Sequence, residues 1–169
     1  MNVQAAEDLV DFGERLEHEC SRIGQLRPTP CNVALTCTAA RTLLPPPMAA
    51  SLFSAAQIMV RWAYEAVECG PGGRIGVSFH VTPGTLELTV EHSHPISWGA
   101  MREGRDDAAL LQQAVALAGG HVEARKVIGG CRWVIVIPSS LSSASRFARG
   151  RLAISLVQKL AEEADCRPT

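Results

Sequence analysis

The sequence predicts a two-layer α/β sandwich, a mixed sheet with helices on one face, carrying an extra helix at each end. Three observations predict it. Ile75 to Val81 and Leu86 to Val90 alternate apolar and polar residues with period two across Pro83-Gly84. Apolar residues recur at spacings of three and four near the N-terminus, after Met48 and after Asp106. The two kinds of segment interleave: helix, strand, helix, two strands, helix, two strands and a last helix.

In the first segment, Leu9, Phe12, Leu16, Cys20 and Ile23 form one apolar stripe, with Asp8, Asp11, Glu14, Glu17 and Arg22 largely off it. Gly24 and the run from Arg27 to Pro30 are expected to end this helix. The stripe suits either its own domain or a partner helix. Cys31 to Thr38 is rich in β-compatible residues and reads as a strand. Pro45, Pro46 and Pro47 cannot all lie inside a helix but can precede a first turn, so a long helix is expected from about Met48 to Val67. On it Leu52, Met59, Ala63 and Ala66 share one face, while Gln57 and Arg61 share the opposite side. A turn around Gly72-Gly73 leads to Ile75, Val77, Phe79 and Val81 pointing one way. Period two through the second strand puts His92 and His94 in phase with that inward set. A short loop carrying Pro95 and Gly99 precedes a helix from about Asp106 to Ala118, stopped by Gly119-Gly120. His121 to Lys126 and Cys131 to Ile137 form a second hairpin across Gly129-Gly130. Ser139 to Ser145 reads as a linker, and a last helix is expected from about Arg149 to Ala164. The expected organisation is an N-terminal helix over 1–27, the sandwich over 28–138, and linker plus helix over 139–169.

The chain has 169 residues, enough for one domain with a sizeable core. Its composition, 47% apolar and 20% charged, is that of an ordinary globular protein. A formal net charge of -1 implies no general attraction to nucleic acid or anionic membrane. No apolar run reaches membrane-span length, and the N-terminus lacks a basic segment followed by an apolar one, so a cytoplasmic location is expected. The six cysteines, at 20, 31, 37, 69, 131 and 166, include no C-x-x-C pair and read as free, mostly buried thiols.

Several segments taken together resemble the histidine-kinase-type ATPase fold of sensor kinases, gyrase-type ATPases and some anti-sigma kinases. The helix Leu52 to Val67 followed by residues 72–78 resembles the family's first nucleotide-site helix and its next strand. Leu86 to Val90 resembles the strand leading into the Asp-x-Gly box. Leu110 to Gly120, His121 to Ala124, Gly129-Gly130 and Trp133 to Pro138 resemble the closing helix and hairpin. The likeness covers roughly residues 30–138, and Val3 to Thr38 resembles the segment after the dimerisation hairpin in kinases of the alphaproteobacterial type. The resemblance implies a Bergerat-type sandwich, ATP and magnesium as ligands, and two-component signalling as context.

The same resemblance exposes departures. The family's glutamate and, four residues on, its magnesium-holding asparagine fall on Gln57 and Arg61. Arginine has five donors and no lone pair for a metal. The Asp-x-Gly box, whose carboxylate accepts the adenine amino group, falls on His92-Ser93-His94, and a side chain at 94 fills space that glycine leaves open. The glycine-rich phosphate turn falls on Glu103 to Asp107, with Gly104 its one glycine and acids facing phosphate. Losing these contacts together is expected to cost roughly three or more decades of affinity. The family's phosphoacceptor hairpin is expected to be missing, Met1 falling about where it would end; His18-Glu19 superficially resembles a His-acidic phosphoacceptor pair but sits on a single helix.

The remaining constellations are weak. His92 and His94 form a His-x-His pair of the kind that binds zinc or copper, but His80 is out of phase with them, leaving no third ligand. No Ser-His-Asp or Cys-His signature occurs. Arg146, Arg149 and Arg151 read as a solvated face, and Trp62, Trp98 and Trp133 as core or pocket-edge residues. The expected function is therefore a non-catalytic interaction module without a cofactor. Its expected partner is a kinase, a phosphotransferase, a response regulator or a sigma-factor regulator. Leu9, Phe12, Leu16, Trp98, Leu152 and Leu156 are the candidate contacts, and homodimerisation through the first or last helix is the expected self-association. The alternatives are an ATP-and-magnesium-binding kinase domain and a small-molecule sensor with a remodelled pocket.

Overall fold

The computed structural model describes residues 9–26, 33–67, 72–94 and 106–138. In chain order these form β1 (Val10–Asp11), α1 (Phe12–Leu26), β2 (Ala34–Ala39), β3 (Leu43–Leu44), α2 (Pro46–Val67), β4 (Arg74–Thr82), β5 (Thr85–His92), α3 (Asp106–Leu117), β6 (His121–Val127) and β7 (Gly130–Pro138). The main sheet has the order β2-β4-β5-β7-β6. β2 and β4 run parallel, and the other neighbours are antiparallel. This is the expected mixed-sheet sandwich.

Strand alternation sorts the sheet into two faces. Ile75, Val77 and Phe79 of β4 lie opposite His92, Val90 and Leu88 of β5, and Val90 and Leu88 lie opposite Trp133 and Ile135 of β7. All of these are buried, and they form one core with α1, α2 and α3. The other face carries Ser78, Thr89, Glu91 and Arg132, as the period-two reading requires.

Local chemistry explains the helix ends. Pro46 opens α2, where a missing N–H costs nothing, and the Pro45 carbonyl accepts the Ala49 N–H at 3.0 Å. The alanine-rich stretch that follows favours helix and lets α2 approach the sheet closely. At the end of α3 the Gly120 N–H donates to Val115 and the Gly119 N–H to Ala116, each at 3.0 Å, a Schellman closure with Gly119 at φ 79°.

Three departures from the sequence reading are structural. α1 starts at Phe12, not Leu9, and runs through Gly24 to Leu26. The strand expected from Cys31 to Thr38 is Ala34–Ala39 among the described residues. β1 and β3 form a two-stranded ribbon, with Val10 opposite Leu44, that no periodicity could reveal at two residues each. Of the two places the α1 stripe suits, it packs on the sandwich: its buried Phe12, Leu16 and Cys20 share the core. Phe12 makes edge contacts with Phe53 of α2 at 5.0 Å and Phe79 of β4 at 4.8 Å. Phe12 and Leu16 are buried in this core, while Leu9 is exposed. The last helix, with Leu152 and Leu156, lies outside the described residues, as do Trp98 and Gly104.

Candidate functional site

The site is built where α2 meets α1 and α3. The helical period of α2 buries Leu52, Met59, Ala63 and Ala66 and turns Gln57 and Arg61 outward, as expected. Arg61 is not free. Its guanidinium pairs with Asp107 of α3 at 2.6 Å, across 46 residues of sequence. Gln57 Nε2 donates to Glu19 of α1 at 3.4 Å, a long and weak bond. Glu19 is gripped by Arg22 at 2.6 and 2.9 Å, and that guanidinium holds its carboxyl below the usual range. The two polar positions of α2 are thus tied to α1 on one side and α3 on the other.

The Arg61–Asp107 pair is partly exposed, so its expected worth is modest. A double-mutant cycle with Arg61→Ala and Asp107→Ala should give a coupling of about 0.2–1 kcal/mol that shrinks in high salt.

His92 closes β5 on the helix-facing side. It is only 3% exposed and lies tilted against Trp133, ring centres 4.9 Å apart. Trp133 in turn meets Trp62 of α2 edge-on at 5.9 Å. Neither imidazole nitrogen reaches a hydrogen-bond partner, and the Trp62 indole N–H is likewise buried without one. Burial, then the neighbouring His94 charge, pulls the His92 pKa down to about 4, so the ring is neutral near pH 7.

His94 does not continue the strand. The chain bends at Ser93, whose N–H donates to the Arg74 carbonyl at 3.1 Å while its Oγ accepts the Arg74 N–H at 3.0 Å. His94 Nδ1 lies 3.4 Å from Ser93 Oγ. His80 is exposed, opposite Glu87 on the other sheet face. Among the described residues no three His, Cys, Asp or Glu side chains cluster as metal ligands. His18 stands exposed on α1.

A separate hollow of about 390 Å³ lies on the sheet face away from the helices. Thr36, Gly76, Glu91 and Arg132 line it, with Arg132 bonded to Glu91 at 2.7 and 2.9 Å. Gln57 and Arg61 take no part in it.

Sequence reasoning missed Asp107 as the partner of Arg61 and Glu19 as that of Gln57. No local spacing could have paired them, because the contacts arise only when α1 and α3 dock beside α2.

The topology decides the comparison. No protein-family model and no curated protein matches the sequence. Solved structures do match. The histidine kinase domain of the blue-light-activated histidine kinase of Erythrobacter litoralis superposes with a TM-score of 0.70 at 20% identity, over 80% of this chain and 70% of that one. The fold is that of a histidine kinase catalytic domain. A longer structure of the same Erythrobacter kinase matches with a TM-score of 0.71, this chain spanning 44% of it. The catalytic domain of the histidine kinase ThkA matches at 0.61 and 14% identity, over 77% of this chain and 93% of that one. The ATP-binding domain of PrrB from Mycobacterium tuberculosis matches at 0.53 and 20% identity, over 78% and 97%. Among the described residues of this chain no helix is long and apolar enough to cross a membrane.

Proposed function

We propose that this chain is a regulatory protein-interaction module of two-component-type signalling that keeps the kinase shape without useful ATP affinity. The observation that carries the reading is the Arg61–Asp107 ion pair between α2 and α3. The sequence resemblance assigns magnesium to position 61. A guanidinium offers a metal no lone pair and repels its charge. Nor is Arg61 free to hold phosphate: Asp107 already pairs with it, and a carboxylate beside a triphosphate is repulsive. At the adenine end, a neutral imidazole packed on Trp133 replaces a carboxylate. ATP and magnesium do not fit these residues, and no phosphotransfer step follows from them.

Partner binding then rests on shape and on exposed surface. The outer face of α1, with His18, Ser21 and Arg22, is open, and Leu9 and Leu43 are exposed at the β1–β3 ribbon. The partner classes that suit a kinase-like fold are kinases, phosphotransferases, response regulators and sigma-factor regulators.

Calorimetric titration and thermal shift with millimolar ATP and magnesium test the first half of the proposal. The expected result is no saturable heat and a melting temperature within about one degree of the free protein. Ligand at 100 times its Kd adds about 2.7 kcal/mol of stability. A shift of several degrees that requires magnesium would restore the kinase reading.

One observation favours a second reading. The unpartnered His92 nitrogens and Trp62 N–H would suit a small neutral ligand that supplies the missing hydrogen bonds. A non-nucleotide molecule copurifying with the protein in native mass spectrometry would support it.

A further inference from the structure

α1 and β2 run past one another like the two sides of a clasp. The Phe12 N–H donates to the Thr42 carbonyl at 3.0 Å. One residue on, Gly13 packs so closely on the Ala40 carbonyl that a Cβ there would collide with it. At the next turn Glu17 Oε1 accepts the Ala39 N–H at 3.2 Å, which caps the free edge of β2. One turn further, Cys20 is on the buried face of α1. Two residues back along the strand, Cys37 is on the helix-facing side, opposite Val77 of the core. The rise per residue, about 1.5 Å in a helix and 3.3 Å in a strand, keeps these tie points in step. The last of them brings two free thiols together, Cys20 on the buried side of α1 and Cys37 on the helix-facing side of β2, near enough that each shifts the other's pKa.

We infer that Cys20 and Cys37 form a reversible disulfide that locks α1 onto β2 when the protein meets a peroxide. The two sulfurs differ in the way that such a pair needs. Cys37 is half-buried, so a small oxidant can reach it, whereas Cys20 is 4% exposed. Donation from the Cys20 thiol favours the Cys37 thiolate and lowers its pKa, while the same bond and burial push the Cys20 thiol up. Cys37 is therefore the attacking sulfur and Cys20 the resolving one. The Cys37 thiolate displaces hydroxide from hydrogen peroxide and becomes a sulfenic acid. The Cys20 sulfur then attacks the Cys37 sulfur and the S–O bond breaks, releasing the sulfenic oxygen as water with the Cys20 proton. In sum two thiols and one peroxide give one disulfide and two waters, with two electrons passing from sulfur to oxygen. A dithiol reductant reverses the bond.

The lock bears on the site because Glu19, next to Cys20, is the residue that holds Gln57 of α2. Oxidation would hold α1 in the position seen here, and reduction would leave it to packing and to the Glu17 and Glu19 bonds. The inference is independent of whether the domain has lost ATP.

The test uses the full chain, reduced, freed of reductant and treated with a few equivalents of hydrogen peroxide. Peptide mapping without reduction should recover the Cys20 segment joined to Cys37. The melting temperature should rise by several degrees and fall back with dithiothreitol. Cys31→Ser should keep the bond, which separates Cys37 from its neighbour in sequence. Cys20→Ala, close in volume, should abolish the oxidative rise while folding normally under reducing conditions. Recovery of Cys20 as a free thiol after Cys37 has been oxidised to sulfinic acid, or of Cys37 joined to a different cysteine, overturns the inference. The map of the unmutated protein decides this even if a variant fails to fold.

Discussion

Phe12→Ala is expected to destabilise the domain by about 3–5 kcal/mol, a large share of the roughly 5–15 kcal/mol that holds a typical domain together. Phe12 has no exposed surface and sits between the rings of Phe53 and Phe79, so truncation opens a cavity between α1, α2 and β4. The loss comprises the transfer energy of the ring and its edge contacts, each of which adds about 0.5–1.5 kcal/mol. Urea unfolding followed by circular dichroism checks it, with Phe12→Leu as a milder step if the alanine variant does not fold. Leu9→Ala, three residues earlier on the same sequence stripe, should change stability by no more than about 0.5 kcal/mol because Leu9 is exposed. If Phe12→Ala were as mild as Leu9→Ala, α1 would be a detachable partner helix and not part of the core.

The second large effect is acid sensitivity centred on His92. The ring is held neutral in the folded state, with a pKa of about 4 against an ordinary value of 6.5. Between these values the unfolded chain binds a proton that the folded chain refuses, so stability rises with pH there. Stability is therefore full above about pH 6.5 and falls as the pH drops toward 4, by on the order of 3 kcal/mol in total. The cause is burial against Trp133, to which the neighbouring His94 charge adds. Stability measured in urea at steps from pH 7.5 to 4.5 should show this slope. His92→Leu should remove it and should cost little at pH 7.5, since an unpartnered polar ring gives way to an apolar side chain. An unchanged slope in that variant would assign the acid sensitivity to other groups.

Much of the architecture was readable along the chain. The alternation of β4 and β5 is clean because one face of the sheet meets helices and the other meets water, so each residue type reports its side. α2 announces its buried and outward faces through the 3.6 period, which places Gln57 and Arg61 outside, where the structure has them. Gly119-Gly120 marks the end of α3 because the Schellman closure needs positive φ there. The ribbon of β1 and β3 left no trace, two residues being too few for any period.

The candidate site was legible only in part. Its unusual residues stood out as departures from a family pattern, but their partners did not. Asp107 reads as an acid facing phosphate at the start of a helix, but its pairing with Arg61 appears only in the packed structure. His92 was placed inward by period two, but its two empty nitrogens and its contact with Trp133 depend on how β7 and α2 pack around it.

What the sequence determined by itself is the set of elements, their order and the face that each presents, because those follow from periodicity and from glycine and proline, which act within a few residues. Tertiary structure alone decided whether the stripe of α1 served the domain or a partner, and which charges met across α1, α2 and α3. Those outcomes depend on side chains tens of residues apart arriving within a few ångströms, a distance that no local pattern encodes.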